Sequence, residues 1–520
     1  MPAQLTVEDC AEFAKMRLQK CDTEHKNCAL PPTSVFSPTH LLDLLSDSHQ
    51  IEKVKLVQDT RRASPYVALS YCWGSELHFR TTKDNLSSFL NGIPFSSLPL
   101  RFQDAMRMIQ RLGIRYLWID ALCIVQDDVE DWEREAKQMG KIYASSYLTI
   151  AMTHSANNLS GFVPPRAPGF LKPPIPFTNH RITGNFEGRP FCILVHQSPV
   201  IAHSDLMKSS CNFSPLLKRG WAFQERMLSR RVLHLHTSEM VWECNTLADC
   251  GCGSFEPQFP WEKIYNPKII ISQMRNNFAT SEAKTRLWQD IVERYCKLEF
   301  TYESDSLPAL SGIAERFLEL LPSEFANHPE GKLERYYLAG MWRDALPLHL
   351  LWWITTAGLV RLSPPCAPTW SWASMDAPKS LNESRLEVTI DSRLEIVDAY
   401  CHLTGSNRFG HVSGGLLCLE AAFLSTNFTE DPDFSISQCG DGLYFFKFDV
   451  SPDLQGIVPG EDLYSVYIGE NPNIGGTHYF IVLQSLKDHF DTYRRVGVLE
   501  IVRSEHRWVH DLPVQVFNIV

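Results

Sequence analysis

Hydrophobic and polar positions along this chain follow two periods, and the switches between them mark out its elements. Tyr66-Val-Ala-Leu-Ser-Tyr71 is a short apolar, β-prone run that ends in Cys72-Trp-Gly-Ser75, which predicts a buried strand passing into a loop. Thr82 is placed to cap a short helix through Leu90. Leu98-Pro99 opens another helix, in which Phe102, Ala105, Met106, Ile109 and Leu112 keep the 3.6-residue period and Gly113 supplies the stop. Arg115 to Asp120 predicts a second strand. Val129 to Tyr143 predicts a helix with Trp132, Ala136, Met139 and Tyr143 on one face, and Tyr147 to Ala151 a third strand. Strand, helices, strand, helix, strand is the order of a parallel sheet with crossover helices. Ligands in such sheets bind outside the carboxyl ends of the strands, here at Tyr71, Cys72, Trp73 and Asp120.

On either side the pattern changes. Residues 1–60 read as a helical lead-in, with Ala11, Phe13, Ala14 and Leu18 at helical spacing, a break at Pro31-Pro32 and a short apolar run from Leu41 to Leu45. Gly161 to about Pro215 is rich in Pro and Gly and reads as irregular. Arg219 to Leu228 reads as a short helix, and Arg231 to His236 with Glu239 to Cys244 as a hairpin. A helical section follows over about Ser281 to Trp353, clearest at Thr285 to Phe300 and Leu307 to Leu321. From about Leu386 the runs become short and alternating, as in Leu416 to Ala422 and Tyr479 to Leu483, which predicts a β-sheet or barrel-like domain. The expected fold class is therefore α/β. A lead-in (1–60) precedes a parallel-sheet domain (61–250), then a mainly helical region (251–385) and a β-rich domain (386–520).

Composition narrows the function classes. A length of 520 residues exceeds what one core usually serves, so two or three domains are expected. The net charge of −11, with no long basic run, disfavours nucleic acid as a partner. The 15 cysteines are odd in number and spread along a long chain, which suits reduced thiols better than a disulfide framework. Met1-Pro-Ala-Gln4 lacks the basic start of a secretory signal. The longest apolar stretch, Ala345 to Val360, is shorter than the roughly 20 residues of a membrane span and reads as a buried helix. No membrane span is expected, and the expected location is cytoplasmic.

Three blocks stand out. They are Tyr66 to Gly74; Leu112 to Asp127, continuing through Asp131-Trp132 and Glu135 to Ile142-Tyr143; and Arg219-Gly-Trp-Ala-Phe-Gln-Glu-Arg226 with Arg230-Arg-Val-Leu233. In this order and spacing they closely resemble the heterokaryon incompatibility (HET) domain of filamentous fungi. Weaker likeness extends to Cys21-x3-His25-x2-Cys28, to Asp305 to Ala314 and to Pro368-Thr-Trp-Ser-Trp-Ala373. The resemblance implies a role in non-self recognition, in which fusion of incompatible cells triggers growth arrest and cell death. It implies protein partners or self-association. Some family members add a nucleotide-binding module, but Gly140-Lys141 and Gly331-Lys332 lack the spacing of a phosphate-binding loop.

The HET domain also looks like a remote relative of Toll/interleukin-receptor-type (TIR) domains, some of which cleave NAD with a helical glutamate near a tryptophan. By that resemblance Glu135, three residues after Trp132, is the candidate catalytic carboxylate and NAD a possible substrate. Asp120 is a second catalytic candidate, set against its reading as a turn cap. Tyr71 and Trp73 are candidates for stacking on a base, although Trp73 and Trp118 equally suit a core. Arg219 and the Gln224-Glu225-Arg226 cluster suit either phosphate binding or a buried ion-pair network. Cys72 and Cys123 read as inert buried thiols. Cys21, His25 and Cys28 can supply three zinc ligands, with a fourth from Cys10 or from the Cys244, Cys250, Cys252 group. Their spacing is not a paired C-x2-C, so no metal is assigned.

Overall fold

The structure is a computed structural model. It describes residues 5–29, 36–44, 50–58, 65–74, 79–157, 161–164, 180–186, 189–195, 214–236, 240–250, 268–269, 271, 280–319, 321, 333–354, 361–363, 365–375, 379–380, 387–427, 437–439, 442–458, 460–473, 476–486, 491–502 and 507–520. These residues fall into two compact units, Met1–Asn276 and Asn277–Val520.

The first unit is built on a sheet of nine strands. In chain order its elements are α1 (Val7–Glu24), β1 (His40–Asp43), β2 (Lys53–Gln58), β3 (Tyr66–Ser70), α2 (Lys83–Asn91), β4 (Ile93–Pro94), α3 (Leu100–Arg111), β5 (Tyr116–Trp118), α4 (Asp120–Cys123), α5 (Val129–Ser145) and β6 (Leu148–Ala151). A hairpin of β7 (His180–Phe186) and β8 (Arg189–Val195) follows, then α6 (Gly220–Leu228), β9 (Arg231–Leu235), β10 (Met240–Cys244) and β11 (Ala248–Cys250). The sheet runs β11-β10-β9-β6-β3-β5-β1-β2-β4. Its centre, β9-β6-β3-β5, is parallel, and both flanks are antiparallel.

Local chemistry explains the central elements. Every residue of β3 and β6 is buried, as expected for strands covered on both faces. The face of α3 that packs on the sheet carries Phe102, Ala105, Met106 and Ile109, and Gly113 after it adopts φ +74°. Asp128 caps α5 by accepting the Glu130 N–H at 3.2 Å, and α5 buries Ala136, Met139, Ile142 and Tyr143. Trp118 is fully buried and meets the Tyr143 ring edge-on, so it is core.

Several expectations are corrected. The apolar run after Pro31-Pro32 is not part of a helical lead-in: it forms β1, which joins the sheet between β5 and β2. The hairpin β9–β10 belongs to this same sheet. Between Gly161 and Pro215, which read as irregular, β7 and β8 pair in antiparallel register from His180–Val195 to Phe186–Arg189.

The second unit holds α7 (Ser281–Tyr295) and α8 (Pro308–Leu318) beside a β-rich assembly. Trp288 of α7 packs on Phe317 of α8, with ring centroids 5.0 Å apart, and on Trp342. The expected helix over Ala345 to Val360 is a single turn, Leu346–His349, followed by the two-residue strand Trp353–Ile354; residues 355–360 lie outside the described residues. Pro347 starts that turn but cannot continue a helix from upstream. Trp370 and Trp372 are both buried, yet Ser371 caps a 3-10 turn, so they are not neighbours along a strand. Beyond residue 386 the strands Val412–Asn427, Asp462–Asn471, Thr477–Ser485, Thr492–Val502 and Val514–Ile519 pair in a closed ring, completed by a short parallel contact between the last two. Closure removes sheet edges that would otherwise pair with other chains.

One glycine is under tight constraint. Gly340 has φ +93°, and a Cβ there would lie 2.5 Å from Trp372 Cζ2. Gly340→Ala is expected to cost about 2 kcal/mol or more, read from denaturant unfolding of the full chain. A change within about 0.5 kcal/mol would refute the constraint. Among the described residues, no helix is long and apolar enough to cross a membrane.

Candidate functional site

The carboxyl end of β3 is where the sequence blocks meet. Tyr71 and Trp73 leave the strand, Asp120 follows β5, and Arg219 and Glu225 arrive on α6. Trp73 Nε1 donates to Asp120 Oδ2 at 2.6 Å, and the Ala121 N–H donates to Asp120 Oδ1 at 2.7 Å. Arg219, at the N-terminus of α6, donates to the Tyr71 carbonyl at 2.9 Å and so ties α6 to the strand end. Glu225, one and a half turns further along, is buried.

The electrostatics of this end are unusual. Burial raises the Asp120 carboxyl above the usual range, opposed by the Trp73 and Ala121 N–H groups and by Arg219. Burial pushes the Glu225 carboxyl up to about 7, with Asp120 adding to the rise and Ser70, Arg219 and Tyr143 opposing it. Two carboxyls of shifted acidity beside arginine form an arrangement suited to moving a proton near neutral pH. Burial likewise raises the Cys72 thiol, which argues against a thiolate nucleophile.

Arg101 was not singled out from sequence. It sits in the first turn of α3, is only 4% exposed, and places its guanidinium 4.9 Å from the Tyr71 ring centroid. Its Nε and Nη1 have no hydrogen-bond partner among the described residues. Burial works against its charge, and the nearby Asp120 carboxyl opposes that effect. A cation at a helix N-terminus opposes the helix dipole, and that misplacement is the signal sequence reading overlooked. Arg219 also stands at a helix start, and both arginines act electrostatically on the Tyr71 and Asp120 side of the strand end.

The predicted residues separate into groups. Tyr71, Trp73, Asp120, Arg219 and Glu225 come together. Tyr71 is 3% exposed and sandwiched by Arg101 and Phe102, so of the two aromatics only the half-buried Trp73 borders solvent. Glu135 stands apart. It is fully buried in α5, accepts the Thr39 hydroxyl at 2.6 Å and lies 3.6 Å from Arg134. Among the described residues, no hydrogen bond or ion pair joins it to the β3 end, and burial raises its carboxyl. Its Oε2 has no hydrogen-bond partner there.

The Arg219-to-Arg226 cluster has two sets of partners. Arg219 and Glu225 face the β3 end, whereas Arg226 forms a two-pronged ion pair with Glu243 of β10 at 2.8 and 3.1 Å. His234 Nε2 lies 3.2 Å from the same carboxylate, and Lys268 adds a buried cation. Burial works to raise the Glu243 carboxyl, yet Arg226, Lys268 and His234 hold it well below the usual range. Burial lowers His234 to about 4, so the ring is neutral at pH 7 and Nε2 carries the proton given to Glu243.

A second group of side chains also gathers. The ligand atoms of Cys21, His25, Cys28 and Cys244 lie within 4.8 Å of one another. From sequence, Cys21, His25 and Cys28 are three possible ligands awaiting a fourth, and Cys244 is the residue that joins them. Cys10 and Cys250, weighed there as possible fourth ligands, are outside the group, and Cys252 lies outside the described residues.

An α/β domain with a charged, partly desolvated strand end is what the first unit presents. Residues 66–225 match the family model described as heterokaryon incompatibility protein (HET), so the chain carries a HET domain over that segment. No curated protein and no solved structure matches the chain.

Proposed function

We propose that this chain is a signalling module of fungal heterokaryon incompatibility, turning non-self recognition into growth arrest and cell death through protein contacts or self-association. The observation that carries this reading is the convergence of the HET blocks: Tyr71 and Trp73, Asp120, and Arg219 with Glu225 belong to three separated stretches and meet at one strand end. Burying carboxylates and arginines together is costly, and sites with such shifted groups are often functional.

A second reading is favoured by the Arg101–Arg219 pair: a TIR-like enzyme that cleaves NAD or a related nucleotide. The arginines would take the ligand's phosphates. Glu135 has no hydrogen bond or ion pair to that strand end among the described residues, so in this reading Asp120 and Glu225 are tested for the chemistry beside it.

The experiment is inducible expression of the full chain in a filamentous fungus, with viability and NAD followed together. Wild type is expected to arrest growth, and Arg101→Ala, at equal abundance, to lose at least about tenfold of that toxicity. Toxicity with NAD intact supports the contact-driven module. NAD loss that precedes death and disappears in Asp120→Asn, Glu225→Gln or Glu135→Ala supports the enzyme. A chain that accumulates in folded form without arresting growth refutes both.

A further inference from the structure

We propose that Cys21, His25, Cys28 and Cys244 form a structural zinc site that clasps the segments on either side of the HET domain. This site is at the opposite end of the sheet from Asp120 and Glu225. Cys244, the last residue of β10, pairs with Arg231, the first residue of β9, whereas the charged site lies at the carboxyl ends of the parallel strands.

The sequence builds three ligands locally. Cys21 and the helix-capping His25 are four residues apart, so they share one face at the end of α1, and the His25 N–H still bonds to the Cys21 carbonyl at 3.1 Å. A 3-10 turn then brings Cys28 back, its N–H on the His25 carbonyl at 3.0 Å. The fourth ligand comes from far along the chain. Cys244 is followed by a tight turn in which its N–H donates to the Leu247 carbonyl at 2.8 Å.

The distances and the surroundings both fit a metal. In a tetrahedral site with metal–sulfur bonds of about 2.3 Å, ligand atoms are spaced about 3.5–4 Å apart. Here Cys244 Sγ and His25 Nδ1 are 3.5 Å apart, and all four ligand atoms lie within 4.8 Å of one another. The three sulfurs are buried, at 0–1% exposure. The N–H groups of Thr246 and Leu247 both point at Cys244 Sγ from 3.4 Å, and Arg231 Nε points at Cys21 Sγ from 3.2 Å. A neutral thiol accepts hydrogen bonds weakly, whereas a metal-bound thiolate draws such donors. Three thiolates and a neutral imidazole around a dication leave one negative charge, beside which lies the Arg231 guanidinium, itself also paired with Asp22. Four protein ligands leave no open position, so the role is structural and not catalytic.

The test uses the full chain purified under reducing conditions. About one zinc per chain is expected by elemental analysis. Cobalt(II) exchange is expected to give the visible bands of a tetrahedral ion and the near-ultraviolet thiolate charge-transfer band. Cys28→Ser and Cys244→Ser should reduce zinc at least about fivefold, while Cys366→Ser, in the other unit, should leave it unchanged. Stripping the wild type with a chelator should lower its melting temperature, and zinc should restore it. Wild-type protein that is folded but binds neither zinc nor cobalt overturns the proposal, even if the serine variants fail to fold. So does mass spectrometry of anaerobically purified protein showing Cys28 in a disulfide with Cys21 or Cys244.

Discussion

Glu243→Gln will destabilise the first unit by about 3–5 kcal/mol, the range for removing one member of a buried, hydrogen-bonded ion pair. The carboxylate is 2% exposed, accepts two bonds from Arg226 and lies against His234. Neutralising it leaves Arg226 and Lys268 to repel each other in a low-dielectric interior. The pH dependence has a definite sign. A carboxyl held below its unfolded value gives stability that is full above about pH 5 and is lost as pH falls through the folded value. Wild type should therefore lose this contribution in acid, and the variant should have none to lose. Denaturant unfolding followed from pH 7 down to about pH 2 measures both effects. A cost under about 1 kcal/mol at pH 7 would mean that the network is solvated and the description of it is wrong.

Glu225 predicts the opposite slope. Its carboxyl is pushed from 4.5 up to about 7 by burial, so the folded chain holds that proton more tightly than the unfolded one. Stability from this group is full below about pH 4.5 and is lost as pH rises through about 7. A shift of this size corresponds to about 3 kcal/mol when the pH is well above both values. Glu225→Gln keeps the shape and removes the titration. The variant should therefore gain on wild type by up to about 3 kcal/mol between pH 5 and pH 9, measured as the difference between their unfolding free energies. Parallel curves across that range would show that Glu225 is already ionised and solvated, and would remove it as a candidate acid or base. The same variant in the viability and NAD experiment then separates a role in chemistry from a role in stability.

Sequence by itself determined the elements whose signals are local. The apolar run Tyr66 to Ser70, the 3.6-residue period through Phe102 and Ile109, and the stop at Gly113 each lie within about a dozen residues, and each formed as its pattern requires. The same holds for the β9–β10 hairpin and for the β-rich stretch after residue 386. Because ligands in parallel sheets bind at strand ends, Tyr71, Trp73 and Asp120 could be named as candidates before any fold was seen, and Arg219 from the chemistry of its own block.

Tertiary structure alone decided the rest, because those features depend on which distant segments meet. The strand β1 has too weak a local pattern to declare itself, and it exists because β5 and β2 supply its hydrogen bonds. Arg101 becomes notable only once Tyr71 packs beneath it. Glu135 is a catalytic candidate from sequence, and only the fold sets it, fully buried, between Thr39 and Arg134. Arg219 and Arg226 look alike in sequence, but seven residues, two turns or about 10 Å along the helix, set one beside the β3 end and the other beside Glu243. The fourth ligand, Cys244, reaches Cys21, His25 and Cys28 only because β10 ends beside the end of α1, a contact no local spacing encodes.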